Sequence, residues 1–361
     1  MDFINQMQPT YGSEEKEAVI EYLNSGGWIM EFKKTREFEK MICDYTKAKY
    51  CSVVSNGTIS LFVALFALSI KKGDEVIVPA YTMVATPNAV KLCGADPILV
   101  DINRGSLCIN INEVKKKLTK KTKAIIHVSI NGRAGELDSL VDFCKKNNIY
   151  LIEDAAQSFG SFFKGKHLGT YGIIGCFSFS VPKIITTGQG GALITDDEEL
   201  YKKICKIKDF GRISSGVDIH DDWGWNFKFT DLQAVFGIEQ LKKIDERTSR
   251  KKEIYSLYKN DLSNLKKVTF IETDLKEVSP WFIDILVDDS KKLSAYLKEN
   301  GIGTRPFYPP INDQLIYKND SNNDFPVTKD VTYKGLWLPS FVSLSDNQIH
   351  YICTKIKEFY R

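Results

Sequence analysis

The strongest constraint on this chain is a repeated alternation between residues 50 and 195. Short apolar runs at 50–54, 75–79, 96–100, 124–130, 149–152, 176–180 and 192–195 read as strands. Helical patterns at 59–69, 84–92, 113–118 and 137–147 separate the first of them. Strand, helix, strand at this spacing means βαβ units. Such units build an α/β fold around a mainly parallel sheet with both faces covered. In open sheets of that kind a ligand crevice lies beyond the carboxyl ends of the strands. Asp154 and Lys183 each follow such a run, and Lys183 precedes a glycine cluster at 188–191.

The flanks are helical. Residues 12–24 read as a helix capped by Ser13, with Val19, Ile20 and Leu23 as its apolar stripe. Residues 35–45 form a second one, with Phe38, Met41, Ile42 and Tyr45 on one side. Further helices are expected at 198–210, 230–241 (with Thr230 as cap) and 245–262, around a loop at 211–225. The texture then changes to extended pieces at 268–271, 281–287 and 336–339, with helices at 290–300 and 346–360 and a proline-stiffened loop at 304–310. The expectation is a large domain over 1–244 and a smaller C-terminal α/β domain over 245–361.

With 361 residues there is room for both. A net charge of +3 is too slight to argue for nucleic acid, and the lysines near residues 115–121 read as a solvated face. No apolar run reaches the roughly 18–20 residues of a membrane span, and the start shows no secretory pattern, so a cytoplasmic protein is expected. None of the eight cysteines forms C-x-x-C, and the four histidines are far apart, so neither disulfides nor a metal site is expected.

Lysine and aspartate at strand ends suit pyridoxal phosphate. The aldehyde of that cofactor needs an amine for a Schiff base, and Lys183 supplies one. Its ordinary pKa of ~10.4 must fall for it to act as nucleophile and base. A carboxylate at Asp154 would keep the pyridine nitrogen protonated and make the ring an electron sink. Ser55-Asn56-Gly57-Thr58, between a strand and a helix, has the form of an anion-binding turn.

Six segments in order carry a resemblance: SNGT before a helix, GDEVIVPAYTMVATPNAV, GADPILVDI, IEDAAQSFG, FSFSVPKIITTGQGGALIT and WNFKFTD. Together the chain resembles the DegT/DnrJ/EryC1/StrS sugar aminotransferases, a branch of the fold-type I pyridoxal phosphate enzymes. The resemblance implies that Lys183 carries the cofactor and shuttles the proton. It implies that Asp154 pairs with the pyridine nitrogen and that Gln157 bonds the ring hydroxyl. Gly57, Thr58 and Ser178 would bind the phosphate. Asn226 would reach the phosphate of a partner subunit, which implies a homodimer with shared sites. Met83 stands where an aromatic residue usually stacks on the ring. Trp28, Lys228, Arg305, Tyr308 and Asn312 fall on the substrate side.

TRPFYPP resembles the perosamine- and viosamine-forming subgroup, which aminates C4 of nucleotide-linked 4-keto-6-deoxyhexoses. Two features depart from that pattern. Asn312 falls where a histidine is common, and Glu31-Phe32 follow Met30 where the family tends to have a glycine. The expected reaction is a two-stage transamination, with L-glutamate as donor and pyridoxamine phosphate as the intermediate cofactor form. The alternatives are amination at C3, and a dehydratase of the same family. The dehydratase branch has a histidine at the lysine position, so Lys183 argues for transamination. A non-catalytic regulator would need a DNA-binding module, for which the chain before Ser55 is too short.

Overall fold

The structure is a computed structural model that describes residues 2–214, 216–318 and 324–361. Two helices, α1 (Ser13–Asn24) and α2 (Lys33–Thr46), precede the sheet. In chain order follow β1 (Tyr50–Val54), α3 (Gly57–Ala67), β2 (Glu75–Pro79), α4 (Ala85–Leu92), β3 (Asp96–Val100), α5 (Ile111–Lys117), β4 (Thr122–Val128), α6 (Leu137–Asn147) and β5 (Tyr150–Asp154). A small hairpin, β6 (Phe162–Phe163) and β7 (Lys166–His167), leads to β8 (Ile174–Ser178) and β9 (Gly191–Thr195). Helices α7 (Glu198–Lys208), α8 (Asp231–Lys242) and α9 (Ile244–Leu262) come next.

Strand order in the large sheet is β1-β9-β8-β5-β4-β2-β3. The β8, β5, β4, β2 and β3 pairings are parallel, while β9 runs antiparallel to both β8 and β1. Reversing twice restores direction, so β1 points the same way as β8. Six strands therefore end on one edge, and β9 begins there. That edge carries Asn56, Tyr81, Ser129, Asp154 and Ser178, each just at or past a strand end. The central strands are nearly wholly buried, as expected for a sheet covered on both faces, while β3 at the edge is only partly so.

The second sheet is antiparallel, ordered β10 (Thr269–Phe270), β11 (Ile283–Leu286), β13 (Gly335–Leu338), β12 (Arg305–Pro306). Helices α9, α10 (Ser290–Glu299) and α12 (Asp346–Phe359) share an apolar cluster with it, through residues such as Tyr258, Leu293 and Ile352. The N-terminal strap joins this sheet's side of the molecule: Ile4 is buried in the same cluster, and its N–H and C=O bond Gly301 and Gly303 at 2.8 and 2.7 Å. Trp281, Phe282, Phe307 and Trp337 pack instead into the core of the large sheet, so the two sheets share apolar contacts.

Three local expectations need correction. Ser13 does not cap α1; the N–H of Gly12, the preceding residue, donates to Glu15 Oε2 at 2.7 Å. The stripe of Val19, Ile20 and Leu23 is not a core face, since Ile20 is 58% and Leu23 49% exposed. The helix turns Glu15 inward instead, where Gln240 donates at 2.6 Å and Lys243 at 3.0 Å. A helix not anticipated, α11 (Pro326–Lys334), starts where Asp101 accepts the N–H groups of Val327 and Thr328 at 3.0 and 2.8 Å. Its cap comes from the end of β3, so no local pattern announces it. Among the described residues no helix is long and apolar enough to cross a membrane.

Asp231 is the anchor of the N-terminal helices. It is fully buried and accepts the N–H groups of Phe32, Lys34 and Thr35, the Thr35 hydroxyl and the Tyr22 hydroxyl. Burial pushes its carboxyl up, but these donors outweigh burial and hold it below its usual range. Its stabilising contribution is therefore full above the ordinary carboxylate pKa and is lost as pH falls below that through the lowered folded pKa. Asp231→Ala leaves several buried donors unpaired and should cost about 2–4 kcal/mol in urea unfolding at pH 7, with a smaller deficit only well into the acid range, at about pH 2. An unchanged midpoint at pH 7 would contradict this anchor.

Candidate active site

At the shared edge, the turn Ser55–Thr58 converts β1 into α3. Asn56 caps the helix by accepting the Ile59 N–H at 2.9 Å. The N–H groups of Gly57 and Thr58 then have no acceptor within the helix, the arrangement that suits a phosphate. Gly57 is required by close approach: a Cβ there would lie 2.8 Å from Ser178 Cβ. A Cβ on Gly191 would come within 2.5 Å of the Asn56 carbonyl. These two glycines let the turn sit directly on β8 and β9, which places Ser178 Oγ beside the helix start.

Asp154 ends β5 and is 5% exposed. Thr86 Oγ1 donates to its Oδ2 at 2.7 Å, and the Ala156 N–H reaches Oδ1 at 3.2 Å. Thr82 and Thr86 hydroxyls are 2.8 Å apart, extending the chain of bonds. Burial raises the Asp154 pKa, while Thr86, Ala156 and the charge of Lys183 pull it back. The carboxyl thus lacks a full counter-charge, which a protonated pyridine nitrogen would provide.

Lys183 follows β8 by a short turn closed by its own N–H to Ser180 O at 3.0 Å. Its Nζ sits 4.0 Å from the ring centroid of Trp281, and Trp281 Nε1 donates to Pro182 O at 2.7 Å. Burial lowers its pKa from the ordinary 10.5 to about 8; Asp154 opposes the fall and Arg305 adds to it. The amine is therefore partly neutral near pH 8, as a nucleophile and proton carrier must be.

Gln157, 6% exposed, accepts the Asn131 N–H on Oε1 at 2.9 Å. Met83 is 44% exposed, and its sulfur accepts the Ala85 N–H at 3.0 Å. Tyr308 is raised to about 12, first by burial, with the charges of Arg305 and Asp154 acting on it in opposite senses. The Arg305 guanidinium lies 5.3 Å from the Tyr308 ring and 5.6 Å from Trp337. Asn312 Oδ1 is buried without a partner among the described residues, in a turn pinned by Ile311 N–H to Ala80 O at 2.9 Å. The 304–310 loop is thereby held over the strand ends.

Trp28, Asn226 and Lys228 lie elsewhere. They line a groove of about 1240 Å³ together with Arg36 and Asp209, and Lys183 is not among its walls. Lys228 pairs with Asp209 at 2.7 Å, and Trp28, 62% exposed, stacks on Phe32 at 5.5 Å. A single chain does not bring these three to the lysine. Thr86, Asn131 and Trp281 carry no local sequence signal, because each acts through a partner distant in sequence. Among the described residues no cluster of His, Cys, Asp or Glu could hold a metal ion.

The geometry fits pyridoxal phosphate: a buried acid, an amine of lowered pKa and an anion-binding helix start share one edge. Comparison with known proteins agrees. The chain is 37% identical to the GDP-perosamine synthase of Escherichia coli O157:H7 over 100% of its own length and 99% of the relative's. It is 33% identical to the GDP-perosamine synthase of Vibrio cholerae over 98% of each. The fold superimposes on Streptococcus pneumoniae Spr1654 in its PLP form with a TM-score of 0.91, at 26% identity, covering 99% and 98% of the two chains. The DegT/DnrJ/EryC1/StrS aminotransferase family matches residues 9–357, and with the lysine, the acid and the phosphate turn in place the chain belongs to that family.

Proposed function

We propose that this enzyme transfers the amino group of L-glutamate to C4 of a nucleotide-linked 4-keto-6-deoxyhexose, giving the 4-amino-4,6-dideoxy sugar. The observation that carries this reading is the Lys183 amine, lowered to about 8 beside Asp154, in a chain alike over its full length to two GDP-perosamine synthases. When bound, pyridoxal phosphate supplies an electron sink and carries the amino group between donor and acceptor.

The chain's own residues do the rest. Lys183 takes and returns the proton at the reacting carbon, a positioned transfer worth about 10²–10⁴ in rate. Asp154, steadied by Thr86, holds a proton on the pyridine nitrogen. The N–H groups of Gly57 and Thr58 and the Ser178 hydroxyl hold the phosphate. Met83 rests on the ring face, a thioether contact of about 0.3–1.5 kcal/mol. Arg305, Tyr308 and Asn312 form the sugar-facing wall on the same side.

Trp28, Asn226 and Lys228 serve the site of a second subunit in a homodimer. Exposed apolar residues lining their groove support this, including Trp28 at 62%, Met30 at 52% and Ile213 at 47%. Leaving such a patch in water is unfavourable, and patches of this kind mark interaction surfaces.

Incubation of the protein with L-glutamate and a panel of nucleotide 3- and 4-ketosugars tests the reading. Mass spectrometry should show an amine replacing the 4-keto oxygen, with 2-oxoglutarate formed in step; amination confined to 3-ketosugars would overturn it. Lys183→Ala should lose the cofactor's visible band and at least about 10²-fold in turnover.

The shared site has its own test. Lys183→Ala and Asn226→Ala protomers, each impaired alone, should regain activity when mixed and allowed to exchange, because one site of each mixed dimer is then intact. No recovery despite proven exchange would place Asn226 within its own subunit's site.

Lys183 also predicts a pH-dependent effect on the cofactor-free protein. Its pKa is depressed by folding, so its burial penalty is full below about 8 and vanishes as pH rises toward 10.5. Lys183→Met should stabilise the cofactor-free protein at pH 7 by roughly 1–3 kcal/mol, and the gain should fade above pH 8.

A further inference from the structure

The turn after β4 holds a buried polar network that the reaction does not explain. Asn131 is fully buried with φ 51°, a left-handed conformation that asparagine tolerates better than most residues. Its N–H donates to Gln157 Oε1 at 2.9 Å. Its side-chain Oδ1 accepts the Phe282 N–H at 3.1 Å, and its Nδ2 donates to Asp284 Oδ2 at 2.6 Å. Asp284, on β11 of the second sheet, is fully buried and takes a two-pronged pair from Arg133, with Nη1 and Nη2 each at 2.7 Å. Arg133 Nε completes the set on Thr273 Oγ1 at 3.0 Å.

The directions of these bonds fix an orientation that no assignment of amide atoms could alter. A backbone N–H only donates, so the end of Gln157 that faces Asn131 must be the carbonyl oxygen. The NH2 is then the end left for a ligand. A ring hydroxyl that ionises needs a donor, and this is one. By the same logic Asn131 must turn its oxygen to the Phe282 N–H and its NH2 to the Asp284 carboxylate.

We propose that Asn131 is a positioning residue, tethered to Phe282 and to Asp284 of the second sheet, which Arg133 holds in turn, and that it locks Gln157 with its NH2 toward the cofactor's ring oxygen. This rests on Gln157 being the ring-hydroxyl contact. A donor there draws charge from the ring oxygen and loosens the proton shared between that oxygen and the nitrogen joined to Lys183. Losing the donor tightens that proton and raises the pH at which the visible band of the bound cofactor titrates. The other titratable and charged groups here are Asp154 from β5 and Arg305, which both act on Lys183, Tyr308 from the loop over the strand ends, and the buried Tyr81 just past β2, on which the charges of Asp284, Arg133 and Arg305 act.

The test is a spectrophotometric pH titration of the cofactor-loaded protein. Gln157→Ala should shift the midpoint up by about 1 pH unit, the worth of a hydrogen bond to a charged group. Asn131→Gly keeps the backbone N–H and the left-handed turn but cuts both tethers; it should shift the midpoint the same way, by about half a unit or more. Combined with Gln157→Ala it should add nothing further. Asn131→Asp keeps the size and backbone preference but sets an acceptor against Asp284, and should also shift the midpoint upward. If Gln157→Ala shifts the band while both Asn131 variants leave it in place, the positioning role is overturned and the ring-hydroxyl contact stands. If Gln157→Ala itself leaves it in place, that contact falls and the positioning role with it. A merely structural Asn131 would lower thermal stability without moving the titration.

Discussion

Burying the Lys183 amine without a direct carboxylate partner is the constraint to which the site is fitted. An isolated ammonium in a dry crevice is costly, and the group responds by giving up its proton more readily. Asp154 lies near enough to temper the effect but is itself bonded to Thr86 and Ala156. The Trp281 ring face, 4.0 Å from Nζ, offers a weaker substitute for a counter-charge. An acid and an amine so placed suit a pyridinium and an aldehyde, which would satisfy both.

That arrangement depends on sheet direction. Six strands end on one edge because β9 alone runs backwards, and its reversal lets Gly191 lie against Asn56 and close the phosphate turn. The second sheet is tied in by the Arg133–Asp284 pair, with exposures of 4% and 0%. A buried pair of this kind is not a large source of net stability, since desolvation offsets most of its attraction. Its better-attested use is to fix geometry: here Asp284 holds Asn131, on the turn that bonds Gln157, while Arg133 also reaches Thr273.

Much of this was legible in the sequence. The strands at Tyr50–Val54, Glu75–Pro79 and Asp96–Val100 and the helix Leu137–Asn147 fall where local pattern puts them. Asp154 and Lys183 were accessible because strand ends in parallel sheets are where ligands sit. Thr86, Asn131 and Trp281 were not, because their roles come from partners 68, 153 and 99 residues away. The α1 stripe fails for a related reason: periodicity reveals that a face is apolar, not what covers it. Among the described residues nothing buries Ile20 and Leu23.

The departure expected after Met30 has a physical account as well. Glu31 is tied into the fold. Its carboxylate sits 3.1 Å from the buried Lys208 ammonium and accepts the Phe229 N–H at 3.2 Å. Lys208 in turn bonds Val53 O and Glu39, so the loop is tied to β1 and α2. Glutamate thereby fixes the loop, with Trp28 outward on the groove. On the proposed reading, the cofactor grip rests on the ends of β1, β5 and β8, and the loop bearing Trp28 is held to the first of these through Lys208.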